Sequence, residues 1–268
     1  MLQQNEFANA ISALREKHPL VHCITNYVTA GDTANMLLAA GASPIMADDP
    51  AEVSEIVEYS NALVLNMGTL SESHIAAMLK AGTVANKRGI PVVLDPVGVH
   101  LSEFRREAVG KILSEVNLSV IRGNLSEMLY LGGVSVHSHG VDSDDENNRD
   151  LDLTATAETA QRYCCVCVVT GAEDIVTDGG RAVMLKNGCS ALGKITGAGD
   201  MTTALIAAFS AVCDPFSAAA YGTAFLGICG ELSEYAPPCR YMGSFRANLF
   251  DKAGMDAEEL AARIQGEE

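Results

Sequence analysis

Short apolar runs alternate along this chain with longer stretches of helical periodicity. Each apolar run is nearly continuous and ends in polar or glycine-rich residues, as expected for strands that are covered on both faces. Strand followed by helix, repeated, is typical of a parallel sheet flanked by helices. The predicted strands are residues 20–24, 43–46, 62–66, 91–95, 118–122 and 164–170. The predicted helices lie at about 30–40, 51–58, 71–88, 102–115, 124–131 and 152–162.

The later part of the chain begins with a predicted hairpin and then becomes helical. Residues 174–177 and 181–186 form its two arms, and an Asp-Gly-Gly sequence supplies the turn. The acidic segment 137–152 has no periodicity and is expected to be a solvated loop. Because no linker composition or repeat interrupts the pattern, one domain over residues 1–268 is predicted.

The composition excludes some classes of binding partner. Hydrophobic residues make up 48% of the chain and charged residues 19%, and the formal net charge is −16. The chain is too apolar to be disordered, and too acidic to bind nucleic acid or a membrane surface through bulk electrostatics. It shows neither a signal sequence nor a long uncharged apolar segment, so we expect a cytoplasmic protein. The eight cysteines lie mostly in apolar runs, which favours buried free thiols over disulfides or a metal cluster.

Polar residues follow the predicted strands at the edge where an open parallel sheet binds its ligands. Taken singly, each has a structural explanation: Asp95 as a turn residue, Glu127 on a solvated helix face, Arg122 in a surface ion pair. Together they predict one polar site, in which Asp95 and Glu127 could hold Mg²⁺ through water. The residues at these ends are Thr25, Asn26, Met46, Asn66, Gly68, Asp95, Arg122, Asn124, Glu127, Thr170 and Gly171.

The segment KITGAGD, residues 194–200, precedes an amphipathic pattern and predicts a glycine loop that leads into a helix. The unpaired N–H groups of Gly197, Ala198 and Gly199 would form an anion hole. Asp200 is either an acid–base group or a residue that complements the helix dipole, and its position alone does not decide. P-loop, GxGxxG, HExxH and GxSxG sequences are absent. An anion hole, an acid and a Mg²⁺ site together fit phosphoryl transfer.

Seven segments, in this order, resemble the hydroxyethylthiazole kinase family of the ribokinase-like superfamily. They are PLVHCITNYV (19–28), AGASPIMA (40–47), ALVLNMGTLS (62–71), PVVLDPVG (91–98), IRGNLSE (121–127), VVTG (168–171) and KITGAGD (194–200). The resemblance covers about residues 5–250. It implies a ribokinase-like three-layer α/β fold, with a central mostly parallel sheet flanked by helices. It also implies homotrimers with active sites at subunit interfaces.

The activity implied by the resemblance is transfer of the γ-phosphoryl group of ATP to the primary alcohol of 4-methyl-5-(2-hydroxyethyl)thiazole, in thiamine biosynthesis or salvage. The implied thiazole contacts are Met46, Gly197, Asn26 and Gly68. The implied ATP contacts are Arg122 and Thr170, and the implied Mg²⁺ groups, acting through water, are Asp95 and Glu127. The implied catalytic base is Asp200.

Three departures from the family pattern keep alternatives open. Asp200 stands where many members have cysteine, and sugar, pyrimidine and pyridoxal kinases share the aspartate. Tyr27 stands where a second asparagine is expected, and the acidic segment 140–152 is atypical. The alternatives are a kinase of hydroxymethylpyrimidine or pyridoxal, and a catalytically silent nucleotide or metabolite sensor. A repair dehydratase for hydrated nicotinamide cofactors matches the first two segments poorly.

Overall fold

The computed structural model describes residues 2–133, 146–235 and 241–267, and the strands in those ranges form a nine-stranded sheet. Its order is β2-β1-β3-β4-β5-β6-β7-β8-β9. The first six strands pair in parallel, and β7, β8 and β9 continue the sheet in antiparallel pairing. The strands are β1 Leu20–Ile24, β2 Ser43–Ile45, β3 Ala62–Asn66, β4 Val92–Asp95, β5 Val120–Asn124, β6 Val166–Thr170, β7 Asp174–Thr177, β8 Ala182–Leu185 and β9 Gly266–Glu267.

Helices cover both faces of the sheet. Helices α1, α2 and α8 to α11 share one buried core with the sheet, and α3 to α7 share the other. No helix in the three described ranges is long and apolar enough to cross a membrane. The helices are α1 Gln4–Lys17, α2 Ala30–Ala40, α3 Val53–Tyr59, α4 Glu72–Arg88, α5 Glu103–Glu115, α6 Leu125–Gly132, α7 Glu146–Tyr163, α8 Ala198–Ser210, α9 Pro215–Glu234, α10 Met242–Ala253 and α11 Ala257–Ala261.

The central strands fill both cores. In β3, Val64 packs into the core beneath α8, whereas Leu63 and Leu65 pack into the core beneath α4. Since successive side chains of a strand point to opposite faces, a continuous apolar run is what a doubly covered strand requires. The predicted α/β architecture of three layers is confirmed.

The structure differs from the predicted elements at both ends and in the acidic segment. Helix α1 and the short strand β9 were not among the predicted elements. Helix α7 begins at Glu146, so part of the predicted loop 137–152 is helical. The sequence of residues 146–152 has a single apolar residue, Leu151, and so gives no periodic hydrophobic signal. The rest of that loop, residues 137–145, lies outside the described residues.

Helix α8 is fixed on the core. Every residue from Met201 to Phe209 is buried. Its neighbour α9 approaches so closely that a Cβ on Gly222 would lie 2.6 Å from the backbone nitrogen of Ile206. Only glycine permits this contact. The N-terminus of α8 is therefore held in a set place at the carboxyl edge of the sheet.

Candidate active site

The N-terminus of α8 has open backbone amides. Gly197 is the N-cap residue, and its φ of +92° is a left-handed conformation that favours glycine. No side chain caps the helix. The first N–H groups of a helix have no acceptor within it, so the amides of Ala198 and Gly199 remain available to an anion. The three residues of the predicted anion hole therefore lie at a helix end that no side chain caps.

Asp200 lies in a cluster of polar side chains, which we call the Asp200 cluster: Asn26, Thr29, Asn66 and Asp200. The amide of Asn66 donates to Oδ1 of Asp200 at 2.8 Å. The amide of Asn26 donates to Oδ2 at 3.0 Å, and the hydroxyl of Thr29 donates to the same oxygen. Asp200 therefore does not cap its own helix, and its carboxylate is held in place by donors from the ends of β1 and β3.

Two of the predicted thiazole contacts adjoin the Asp200 cluster. The side chain of Asn66 also accepts from the backbone N–H of Gly68 at 2.9 Å. A Cβ on Gly68 would lie 2.7 Å from Cβ of Asn26, and a Cβ on Gly197 would lie 2.8 Å from Cγ2 of Thr29. Both glycines are therefore pressed against members of the cluster.

Met46 is more distant from the cluster. It follows β2, is half-buried and packs against the core beneath α8. Because β2, β1 and β3 are neighbours, Met46, Asn26 and Gly68 follow three adjacent strands. The ring of His74 bridges the loops that follow β2 and β3. Its Nδ1 lies 3.0 Å from the carbonyl oxygen of Thr69, and its Nε2 lies 2.9 Å from Oδ2 of Asp48.

Arg122 lies on the other side of the α8 N-terminus. Its Nη1 donates to Oδ2 of Asp95 at 3.3 Å, and its Nη2 donates to the hydroxyl of Thr170. A Cβ on Gly199 would lie 2.8 Å from Nη2, so the guanidinium rests against the glycine. The surface ion pair considered from the sequence is wrong, since Arg122 is 13% exposed and Asp95 is fully buried.

Asp95 is a buried carboxyl group with one unpaired oxygen. Oδ2 accepts from Arg122 and, at 2.8 Å, from the hydroxyl of Thr203, whereas Oδ1 has no partner. Burial raises the pKa of Asp95 to about 7, although the neighbouring Arg122 opposes the rise. The nearby carboxylates of Glu127 and Asp200 raise this pKa further.

Glu127 is buried and bound by the backbone. Its Oε2 accepts from the N–H of Asn124 at 2.8 Å, in the capping box that starts α6, and its Oε1 accepts from the N–H of Gly98 at 2.8 Å. The solvated helix face considered from the sequence is therefore wrong. In the described ranges no three His, Cys, Asp or Glu side chains are grouped to bind a metal directly. Asp95 and Glu127 supply two buried carboxylates that interact electrostatically, and such hard oxygen donors suit a hydrated Mg²⁺ ion.

A cleft of about 660 Å³ extends from Arg122 and Thr170 past the start of α8. Its lining also includes the apolar side chains of Leu192, Ile195 and Leu226. A cleft that offers a cationic side chain, open amides and apolar side chains suits a molecule that carries both phosphate and an aromatic base. The apolar side chains come from the segment before α8 and from α9, and no polar signature in the sequence pointed to them.

Thr29 and Asn66 are the members of the Asp200 cluster to which the sequence analysis assigned no role. Asn66 stood among the polar residues at strand ends, but its partner could not be chosen without knowing that β1 and β3 are adjacent. Thr29 lies beyond the end of β1 and gave no comparable signal. Asp174, which lines the cleft beside Arg122 and Thr170, was also missed. Burial raises the pKa of Asp174 to about 6.

Comparison with known proteins agrees with the resemblance noted in the sequence. A sequence model of the hydroxyethylthiazole kinase family matches residues 11–258. The chain is 44% identical over 248 residues to a protein named hydroxyethylthiazole kinase from Ruminiclostridium cellulolyticum, and the match covers 92% of this chain and 91% of that protein. The chain belongs to the hydroxyethylthiazole kinase family. A protein named hydroxyethylthiazole kinase from Methanocorpusculum labreanum is 41% identical over 246 residues, covering 92% of each chain.

Solved structures extend the comparison of this thiazole kinase family member to the fold. The structure of a hydroxyethylthiazole kinase protein from Pyrococcus horikoshii OT3 matches with a TM-score of 0.89, 35% identity and 98% coverage of both chains. A Bacillus subtilis pyridoxal kinase, solved as an ADP complex, matches with a TM-score of 0.61 and 15% identity over 83% of this chain and 94% of that one. The second likeness shows the fold alone. The predicted family and ribokinase-like fold are confirmed.

Proposed function

We propose that the protein transfers the γ-phosphoryl group of ATP to the primary alcohol of 4-methyl-5-(2-hydroxyethyl)thiazole. Family membership supports this reaction. The observation that carries it in this chain is the position of the α8 N-terminus, which lies between the Asp200 cluster and Arg122. A base and a cation thus flank one set of open amides, as phosphoryl transfer to an alcohol requires.

In the proposed mechanism Asp200 accepts the proton of the alcohol. The alcohol lies between Asp200 and the γ-phosphoryl group, a new oxygen–phosphorus bond forms, and ADP leaves. The donors from Asn26, Asn66 and Thr29 fix the carboxylate orientation. Base catalysis typically contributes about 10²–10⁴-fold, so positioning and charge stabilisation supply the rest of the rate.

Charge on the transferred group is stabilised at the anion hole. The amides of Gly197, Ala198 and Gly199 face the phosphoryl oxygens, and Arg122 and Thr170 bind the nucleotide phosphates. Arg122 is suitably placed because it rests against Gly199. Thiazole binding falls to Asn26, Gly68 and Gly197 beside the base, with Met46 at the neighbouring strand end.

Mg²⁺ bound with ATP would neutralise charge on the phosphates being separated. Asp95 and Glu127 would hold it through water. Their carboxylate oxygens are hard donors, which suit this ion, and both side chains are already hydrogen-bonded to protein groups. The unpaired Oδ1 of Asp95 is the one carboxylate oxygen of this pair without a hydrogen-bond donor. Chelation of Mg²⁺ is therefore expected to stop turnover.

We also propose a homotrimer with sites at subunit interfaces, and a cytoplasmic location. Support for an interface comes from Tyr27 and Val28, which are 80% and 62% exposed directly beside Asn26. Exposed apolar side chains at the rim of a site are typical of surfaces that another chain covers. Light scattering tests the assembly, and a monomer would contradict it.

The reaction is tested by ADP release with Mg·ATP and four alcohols: the hydroxyethyl thiazole, hydroxymethylpyrimidine, pyridoxal and ribose. We expect the thiazole to be preferred by about tenfold or more in kcat/KM, which is about 1.4 kcal/mol at the transition state. Turnover of another alcohol alone would keep the mechanism and contradict the substrate. ATP binding without turnover of any alcohol would favour the sensor.

A further inference from the structure

Arg105 of α5 lies outside the Asp200 cluster, and its guanidinium donates to three backbone carbonyls. Nη2 donates to the carbonyl oxygen of Gly68 at 2.6 Å. Nη1 donates to Val97 at 2.6 Å and also to Met67. Met67 and Gly68 follow β3, and Val97 follows β4. One side chain therefore joins two loops at the carboxyl edge of the sheet.

In the turn at Met67 and Gly68, both an N–H group and the carbonyl groups are hydrogen-bonded to side chains. Asn66 accepts from the N–H of Gly68, and Arg105 binds the carbonyls of Met67 and Gly68. The same Asn66 side chain donates to Asp200. A shift of this turn would therefore move a donor of the Asp200 carboxylate.

The contact between Gly68 and Asn26 transmits the same shift. The two residues are so close that a Cβ on Gly68 would lie 2.7 Å from Cβ of Asn26. Asn26 donates to the other oxygen of Asp200. Both amides that orient Asp200 thus depend on where the Gly68 turn lies.

The second loop held by Arg105 leads away from Asp95. Arg105 binds the carbonyl of Val97, and Glu127 binds the N–H of the next residue, Gly98. All three acceptors of Arg105 are uncharged and lie in different peptide groups. A planar guanidinium with five donors can satisfy them together, whereas the single ammonium of lysine lacks this fork.

We propose that Arg105 is a positioning residue for the alcohol side of the reaction. It fixes the Gly68 turn, and through Asn26 and Asn66 it fixes the orientation of Asp200. Arg105 does not line the nucleotide cleft, so we expect its main effect on the alcohol and on the chemical step rather than on ATP binding. This inference rests on the proposed function in taking Asp200 as the base.

The experiment compares Arg105→Ala and Arg105→Lys with the matched control Arg106→Ala. Arg106 is the next residue of α5 and donates to the carbonyl of His100 at 3.1 Å, but not to the Gly68 turn. We expect both Arg105 variants to lower kcat/KM for the alcohol about tenfold or more, with KM for ATP within about twofold of wild type. Added guanidinium salt should partly restore Arg105→Ala, and Arg106→Ala should behave as wild type.

Amide hydrogen exchange gives a readout that needs no substrate. Exchange at residues 67–70 should rise in both Arg105 variants and stay at the wild-type level in Arg106→Ala. Unchanged exchange there, a lower Tm with unchanged kinetics, or an equal rise in KM for ATP would each overturn the positioning role. Failure of the wild-type protein to phosphorylate the thiazole would overturn the proposed function, whereas the exchange result would still decide on Arg105.

Discussion

Gly199→Ala tests whether the start of α8 and Arg122 act as one nucleotide-binding unit. A Cβ at this position would lie 2.8 Å from Nη2 and 2.9 Å from Cζ of Arg122. Favourable contacts between such atoms are roughly 3.5 Å long, so the guanidinium would have to retreat by at least about 0.7 Å. It could not then keep its present hydrogen bonds to Asp95 and Thr170.

The size of the effect follows from the contacts of Arg122. A hydrogen bond to a charged group contributes about 1.5–3 kcal/mol, and about 1.4 kcal/mol is a factor of ten in affinity. Loss of one phosphate contact is therefore expected to weaken ATP binding about 10- to 150-fold. The helix should not be destabilised, because alanine favours a helix over glycine by about 1 kcal/mol. Gly110→Ala in α5, where a Cβ meets nothing within 4 Å, is the matched control.

The assay is calorimetric titration of Mg·ATP into the wild type, Gly199→Ala, Arg122→Ala and the double variant. If the methyl group acts by displacing Arg122, the double variant should bind ATP no more weakly than Arg122→Ala alone. Fully additive losses would show that the methyl group blocks the phosphate by itself, and would refute the displacement of Arg122. An affinity of Gly199→Ala for ATP within about twofold of wild type would refute it as well.

Three further variants test other parts of the site. Asp200→Asn should lower kcat about a hundredfold or more while ATP binding persists, because an amide cannot accept the alcohol proton; kcat within about threefold of wild type would contradict the base. Gly68→Ala should raise KM for the alcohol about tenfold by pressing on Asn26, and unchanged steady-state kinetics would count against that pocket. The pKa of Asp95 is raised to about 7, so the folded protein binds this proton more tightly than the unfolded chain, and the associated stability is lost as pH rises from about 4 to about 7. In urea unfolding between about pH 5 and pH 7, the free energy of unfolding should fall less steeply for Asp95→Asn than for wild type; parallel profiles would disprove the link.

The parallel strands could be predicted from the sequence because burial on both faces leaves a continuous apolar run. Each of the six predicted runs overlaps a strand. The ends were harder to predict, as β5 illustrates: it spans Val120–Asn124 rather than 118–122. Gly123 and Asn124 are in the strand because they pair with β6, and backbone pairing does not require apolar side chains.

The candidate site could be predicted in part, because a parallel sheet gathers the residues that follow its strands at one edge. Asn26, Gly68, Asp95 and Arg122 meet there for that reason. The role of Arg105 could not be predicted, since Arg105 and Arg106 are adjacent arginines of one helix and only tertiary structure separates their contacts. The thiazole assignment of Met46 rests on the family resemblance alone.

Because α8 is buried, its amide dipoles are oriented before any substrate binds. The helix is locked against α9 by the close approach at Gly222, and its open amides face the cleft from a fixed position. Water around a reacting phosphate must reorient as charge shifts, whereas these amide dipoles are already oriented. The work of aligning them was done when the chain folded. Each turnover can therefore use amide dipoles that are already in place.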